Sequence, residues 1–171
     1  MLMCAEKQKP SSPTETAIQS RAINVLVVHS DESLRQFLNS LLWRAGYHVR
    51  LAGNAVGASM LILEMAPDVM IVDVDQQGMD ALKFVAGIRG GKTIPFFPVI
   101  FLTENMDVAP RAQELGGECV LKPVQAETLL ATVSSCSLIR YPQLRIAQPT
   151  PSLAKASDEY FRRASRAQVL Q

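Results

Sequence analysis

The 171-residue sequence predicts an α/β fold: a doubly wound, five-stranded parallel sheet with helices on both faces, three layers in all. Three observations predict it. Short runs of Val, Ile and Leu alternate with amphipathic stretches, the pattern of strands buried on both faces between covering helices. Hydrophobic residues make up 48% of the chain and charged residues 19%, enough apolar material for a core and too little charge for a wholly disordered chain. Polar residues also stand directly after the apolar runs, at His29-Ser30-Asp31, Asp73-Val74-Asp75, Thr103-Glu104 and Lys122-Pro123. In a doubly wound sheet those positions border the functional crevice, beyond the carboxyl ends of the strands.

Residues 1–22 contain Pro10-Ser11-Ser12-Pro13-Thr14 without apolar periodicity, which predicts a disordered arm. Residues 23–136 supply the domain. The expected strands are Val25–Val28, Tyr47–Leu51, Val69–Val72, Phe97–Leu102 and Cys119–Leu121. Helical spacing is carried by Leu34, Leu38, Leu41 and Leu42, by Val56, Met60 and Leu63, and by Leu82, Val85 and Ile88. It continues weakly through Val108–Leu115 and ends with Leu129, Leu130 and Val133. Tyr141-Pro142 and Pro149-Thr150-Pro151 mark residues 137–151 as a stiff linker. Residues 152–171 place Leu153, Ala156, Tyr160, Ala164 and Ala167 on one helical face and Lys155, Arg162, Arg163 and Arg166 elsewhere. A short basic amphipathic helix or a solvated tail fits this segment. Docking on an acidic surface or a partner helix is a possible use, with lipid contact least expected.

Charge and cysteine content exclude several classes. The formal net charge is +1, but the zones differ: net +1 for residues 1–22, −4 for residues 23–136 and +4 for residues 137–171. An acidic central domain is not expected to bind DNA directly, because phosphate neutralisation needs clustered Lys and Arg. Cys4, Cys119 and Cys136 have no CxxC spacing and suggest neither disulfides nor a zinc site. Cys119 and Cys136 read as small hydrophobes. Neither a bilayer-length apolar run nor a signal-peptide apolar region is present, so a reducing cytoplasm is the expected location.

An Asp, a Thr and a Lys delivered from three adjacent strands resemble the receiver domain of two-component response regulators, with its flavodoxin-like sandwich. The resemblance covers residues 23–136 and rests on four stretches. VLVVHSDESLRQFLNSLLWRAGYHV matches the first strand, helix and second strand, with Arg35, Leu41-Leu42 and Gly46-Tyr47 in place. PDVMIVDVDQQGMDAL places the phosphoacceptor at Asp73, PVIFLTE places the switch Thr at Thr103, and ELGGECVLKPVQAETLLATV supplies Lys122-Pro123. The resemblance implies that Asp73 accepts a phosphoryl group, that Lys122 and Thr103 contact its oxygens, and that Mg²⁺ neutralises charge beside them.

Several departures bear on that chemistry. Two adjacent acidic residues normally follow the first strand of a receiver; here His29 and Ser30 hold those positions. Asp31 is one place too late, since the interval to Arg35 is kept. Mg²⁺ takes a near-octahedral shell of hard oxygen donors, for which imidazole is a poor choice, so no metal or other cofactor is expected. The residual oxygen donors are Asp73, Asp31 and Asp75. Gln76-Gln77 replaces the usual Met-Pro pair, Ala81 a glycine, and Cys119 the aromatic rotamer switch. His29 is expected to make a local hydrogen bond and His48 to face outward. With no metal competing, Asp73 and Lys122 are expected to pair directly.

The expected function is therefore that of an atypical receiver, a non-enzymatic pseudo-receiver in phosphorelay signalling that acts mainly through protein–protein contacts. Its expected partners are a sensor histidine kinase or another signalling protein, with a homodimer possible. The first alternative is a conventional receiver phosphorylated on Asp73, with Asp31 or Asp75 helping to hold Mg²⁺. A remote one is a haloacid-dehalogenase-like phosphohydrolase using Asp73 and Asp75 as nucleophile and acid-base, which Gln77 and the missing later acidic pair disfavour.

Overall fold

The structure is a computed structural model that describes residues 22–91 and 93–140. In chain order the elements are β1 (Asn24–Val28), α1 (Glu32–Arg44), β2 (His48–Ala52), α2 (Ala55–Glu64), β3 (Val69–Asp73) and α3 (Ala81–Gly90). There follow β4 (Val99–Thr103), a single 3₁₀ turn (Met106–Val108), α4 (Ala109–Glu114), β5 (Gly117–Leu121) and α5 (Ala126–Arg140). All strands pair in parallel in the order β2-β1-β3-β4-β5, the doubly wound sheet that the alternating pattern predicts.

Alternation along each strand divides the core into two layers. Val25 and Val27 point toward α1 and α5, where they pack with Leu38, Leu41, Leu42, Leu129, Leu130 and Val133. Leu26 and Val28 point to the opposite layer, with Ala58, Ile62, Ala81, Val85 and Ala112 of α2, α3 and α4. β3 and β4 lie at the centre and are buried along their whole lengths, which is why VMIVD and VIFLT are unbroken apolar runs up to their polar last residues. The strand order reverses between β1 and β3. The ends of those two strands, at Val28 and Asp73, therefore open onto the crevice.

The helix starts are local in origin. Asp31, Asn54 and Asp80 each cap a helix by accepting a backbone N–H three residues on, from Leu34, Gly57 and Lys83. No helix among the described residues is long and apolar enough to cross a membrane.

The structure corrects the expected boundaries in several places. β5 begins at Gly117, ahead of Cys119, because two glycines with low strand propensity hide its start. Tyr47 and Phe97 are buried but precede β2 and β4. Pro98, which has no N–H to donate, still accepts a hydrogen bond from Met70 (3.1 Å). α5 continues through Arg140, past the expected boundary at 137, because Cys136 and Ser137 remain buried against the sheet. The expected arm before residue 22, the linker from residue 141 and the basic helix at 152–171 lie outside the described residues.

The largest correction concerns α2. Val56, Met60 and Leu63 carry the helical spacing but are 71%, 67% and 72% exposed, while Ala58 and Ile62 face the sheet. From Ala55 to Leu63 only Ser59 is polar, so periodicity offers no contrast by which to choose the buried face.

Gly117 is needed for close packing: a Cβ there would lie 2.5 Å from Phe101 Cε2 and 2.8 Å from the Val99 carbonyl oxygen. Gly117→Ala should destabilise the domain by about 1–3 kcal/mol, as overpacking does. Gly87, in α3, has open space where its Cβ would be. Gly87→Ala should instead stabilise by about 0.5–1 kcal/mol through helix propensity. Urea denaturation of the two variants checks both signs.

Candidate functional site

Asp73 ends β3 and is 3% exposed. Both of its carboxylate oxygens are engaged by protein donors. Oδ1 accepts from Lys122 Nζ at 2.6 Å and from the backbone N–H of Asp75 at 2.9 Å. Oδ2 lies 2.6 Å from His29 Nε2. The expected Asp73–Lys122 ion pair is present, and His29 adds a partner on the other side.

The imidazole orientation follows from its second nitrogen. His29 Nδ1 accepts the N–H of Asp31 at 2.9 Å, so a neutral ring carries its proton on Nε2, facing Asp73. The local hydrogen bond expected of His29 is this one, and the contact with Asp73 is additional. Arg35 fixes the loop by donating from Nη1 to the carbonyls of His29 (2.6 Å) and Ser30 (2.8 Å). Gly53 lies beside this guanidinium, at a distance where a Cβ would make only ordinary contact with it. The preserved Arg35 spacing thus reports a clamp on the β1–α1 loop.

Lys122 follows β5, its N–H donating to the Thr103 carbonyl at 2.8 Å and its peptide bond to Pro123 being cis. Its ammonium is also 3.3 Å from Asp75 Oδ2. That same oxygen accepts the backbone N–H of Glu104 at 2.7 Å. The hydroxyl of buried Thr103 donates to the Asn105 carbonyl and accepts the Asn105 N–H, at 3.0 and 3.1 Å. It is committed to its own loop. Ser30 is exposed at the rim, and His48 faces outward as expected.

Burial opposes ionisation of Asp73, but the hydrogen bonds from His29, Lys122 and the Asp75 amide, with the Lys122 charge, outweigh it. Together they hold the carboxyl below its ordinary value of 3.8. Elsewhere, burial and the charge of Glu118 push the Cys136 thiol up to about 12, so it stays protonated and unreactive. Cys119 is half-buried, packed beside α4 in the position of the aromatic switch.

The donors around Asp73 do not fit Mg²⁺. An imidazole and an ammonium take the two sides of the carboxylate, where a hard cation needs oxygen. Asp31 caps α1 through its Oδ1, and Asp75 Oδ2 meets the Lys122 ammonium and the Glu104 N–H. No group of three or more His, Cys, Asp or Glu able to hold a metal occurs among the described residues.

The sheet order and the crevice with Asp73, Thr103 and Lys122 define a class of signalling domain. Residues 25–134 match the family model described as the response regulator receiver domain, and the chain belongs to that family. Among curated relatives it is similar to the transcriptional regulatory protein AfsQ1 of Streptomyces coelicolor, 26% identical over 110 residues, covering 64% of this chain and 49% of that protein. It is also similar to the transcriptional regulatory protein GltR of Pseudomonas aeruginosa, 30% identical over 115 residues, with 66% and 48% covered. The chain spans about half the length of these relatives. Among solved structures, the chemotaxis response regulator CheY4 of Vibrio cholerae superimposes with a TM-score of 0.61 at 29% identity, covering 67% of this chain and 98% of that one. Receiver domains are signalling modules of two-component pathways rather than typical enzymes.

Lys122→Met should cost about 2–3 kcal/mol, toward the low end for breaking a buried pair, because His29 and the Asp75 amide still serve the carboxylate. An unchanged urea midpoint would show the pair to be energetically idle. Because the folded carboxyl has the lower pKa, its contribution to stability is complete above the unfolded value and is lost as pH falls through the folded one. The wild type should therefore lose stability relative to Asp73→Asn below about pH 4, read from denaturation midpoints across an acid series.

Proposed function

We propose that this chain is a pseudo-receiver: a receiver domain that signals mainly by constitutive protein–protein contact, with Asp73 held by His29 and Lys122 and no use of Mg²⁺. The observation that carries this is the double engagement of the Asp73 carboxylate. A phosphoacceptor needs one oxygen free to attack a phosphodonor and a cation to neutralise the incoming charge. Here Oδ1 faces Lys122 and the Asp75 amide, and Oδ2 faces His29. Thr103, committed to its own loop, and Cys119, in place of the aromatic, weaken the machinery that would pass a phosphorylation signal outward. The Asp73, Thr103 and Lys122 positions are those of the phosphoryl site, while His29 and Ser30 stand where its metal-binding acids would be.

The proposed contact surface is the α4–β5–α5 face. Glu114, Glu118 and Glu127 are exposed there together with Leu121 and Met106, giving an acidic rim around apolar side chains. The net −4 of residues 23–136 favours a basic protein partner over DNA. A histidine kinase or another pathway protein fits this chemistry, and the cytoplasm is the proposed location.

Incubation with a small-molecule acyl phosphate, with and without Mg²⁺ and read by intact mass, should give no phosphorylated form and no Mg²⁺-dependent rise in melting temperature. An Mg²⁺-dependent mass increment that Asp73→Asn abolishes would falsify the proposal and establish the conventional receiver. For a partner recovered by pull-down, Asp73→Ala should leave affinity within about threefold, under roughly 0.7 kcal/mol. Charge reversals at Glu114 and Glu127 should weaken it further than that, as measured by titration.

A further inference from the structure

Asp75 is the second titratable carboxylate of the crevice, and the pairing of Asp73 does not require its side chain. An Asp in a tight turn commonly accepts the N–H of a residue two places on. The Asp75 carboxylate instead crosses to the next strand end, where Oδ2 accepts the Glu104 N–H at 2.7 Å, 29 residues away in sequence. From there it also reaches Lys122 Nζ at 3.3 Å. One anionic oxygen thus joins the loops that follow β3, β4 and β5.

The ammonium it meets is the one that lies 2.6 Å from Oδ1 of Asp73. Any anionic group attached to that oxygen would have Lys122 as its nearest cation. We propose that the Asp75 carboxylate is a tethered internal ligand of an oxyanion site formed by Lys122 Nζ and the Glu104 N–H. It occupies donors that an external oxyanion could use and ties the loop after β4 to the ends of β3 and β5 without phosphorylation.

Three features make a carboxylate suited to that place. It is acceptor-only, matching two donors that have nothing to accept. It is supplied by the chain, so it does not have to be captured from solution. Its side chain is 33% exposed, so removal opens the site to solvent without leaving a hole in the core. Because the same donors cannot serve two anions at full strength, Asp75 also competes with any external oxyanion. The inference rests on the pseudo-receiver reading and gives it a physical reason: the donors are already occupied by a carboxylate of the chain itself.

The test uses inorganic phosphate as the probe, with the full chain at constant ionic strength. Phosphate binding should be at least about tenfold tighter in Asp75→Ala than in wild type, measured by calorimetry. In the variant alone, the Glu104 amide resonance should titrate with phosphate, and adding Lys122→Met should abolish the gain. Asp75→Asn keeps an acceptor for Glu104 but withdraws the charge, and it too should bind phosphate more tightly than wild type. Equal phosphate affinity in wild type and both variants, or a Glu104 resonance unaffected by removing the carboxylate, would overturn the inference. Failure of the pseudo-receiver reading is distinguishable, because it shows as Mg²⁺-dependent phosphorylation of the wild-type chain and needs no Asp75 variant.

Discussion

A carboxylate buried at the end of a central strand is the constraint around which this crevice is built. Asp73 lies where the strand order reverses, among apolar side chains that offer its charge nothing, and an ionised group there is tolerable only if donors surround it. Three segments meet that demand: the β1–α1 loop with His29, the β5 end with Lys122, and its own loop with the Asp75 amide. Each donor depends on something further out. Arg35 holds the His29 loop, and the parallel register of β4 and β5 sets Lys122 beside Thr103.

His29 and Ser30, at the end of β1, bring no carboxylate to the crevice, which sets how its charge is balanced. With additional carboxylates in the crevice, a divalent cation would be needed to offset the accumulated negative charge. With His29 donating as a neutral imidazole, Lys122 alone faces Asp73 and Asp75, leaving a modest excess negative charge at the solvent-exposed rim. Hydrogen bonds to a charged acceptor contribute about 1.5–3 kcal/mol each, so two or three can offset much of the desolvation of one carboxylate. They cannot neutralise an added phosphoryl dianion as a metal does. These contacts therefore stabilise the unmodified carboxylate.

Much of this was legible in the sequence, for reasons that differ by element. β3 and β4 were plain because central parallel strands must be apolar on both faces, and α1 because Leu38, Leu41 and Leu42 contrast with the polar and charged residues around them. The buried face of α2 left no such signal because its residues lack that contrast, and the start of β5 was missed because Gly116-Gly117 serves a turn and a close approach that propensity does not register. At the site, Asp73 and Lys122 were recognisable from position, since strand ends converge by topology. The His29–Asp73 contact was not, because a local hydrogen bond explains a lone histidine equally well until Nδ1 and Nε2 are seen to have separate partners. The reach from Asp75 to Glu104 depends on two loop conformations and leaves no spacing signal.

The consequence for signalling follows from where the energy is held. A modification can shift a two-state element only by its differential interaction with the two states. In this crevice the donors that would supply such a difference already have partners: Lys122 has two carboxylates, the Glu104 amide has Asp75, and the Thr103 hydroxyl has Asn105. A phosphoryl group would have to displace these contacts before making its own, and the exchange would return little net bias. Cys119, small and packed against the α4 layer, then has no large rotamer change with which to carry even that bias to the α4–β5–α5 face. On the proposed pseudo-receiver reading one surface is presented continuously, and regulation would act through the abundance of the protein or through competition for its contact face.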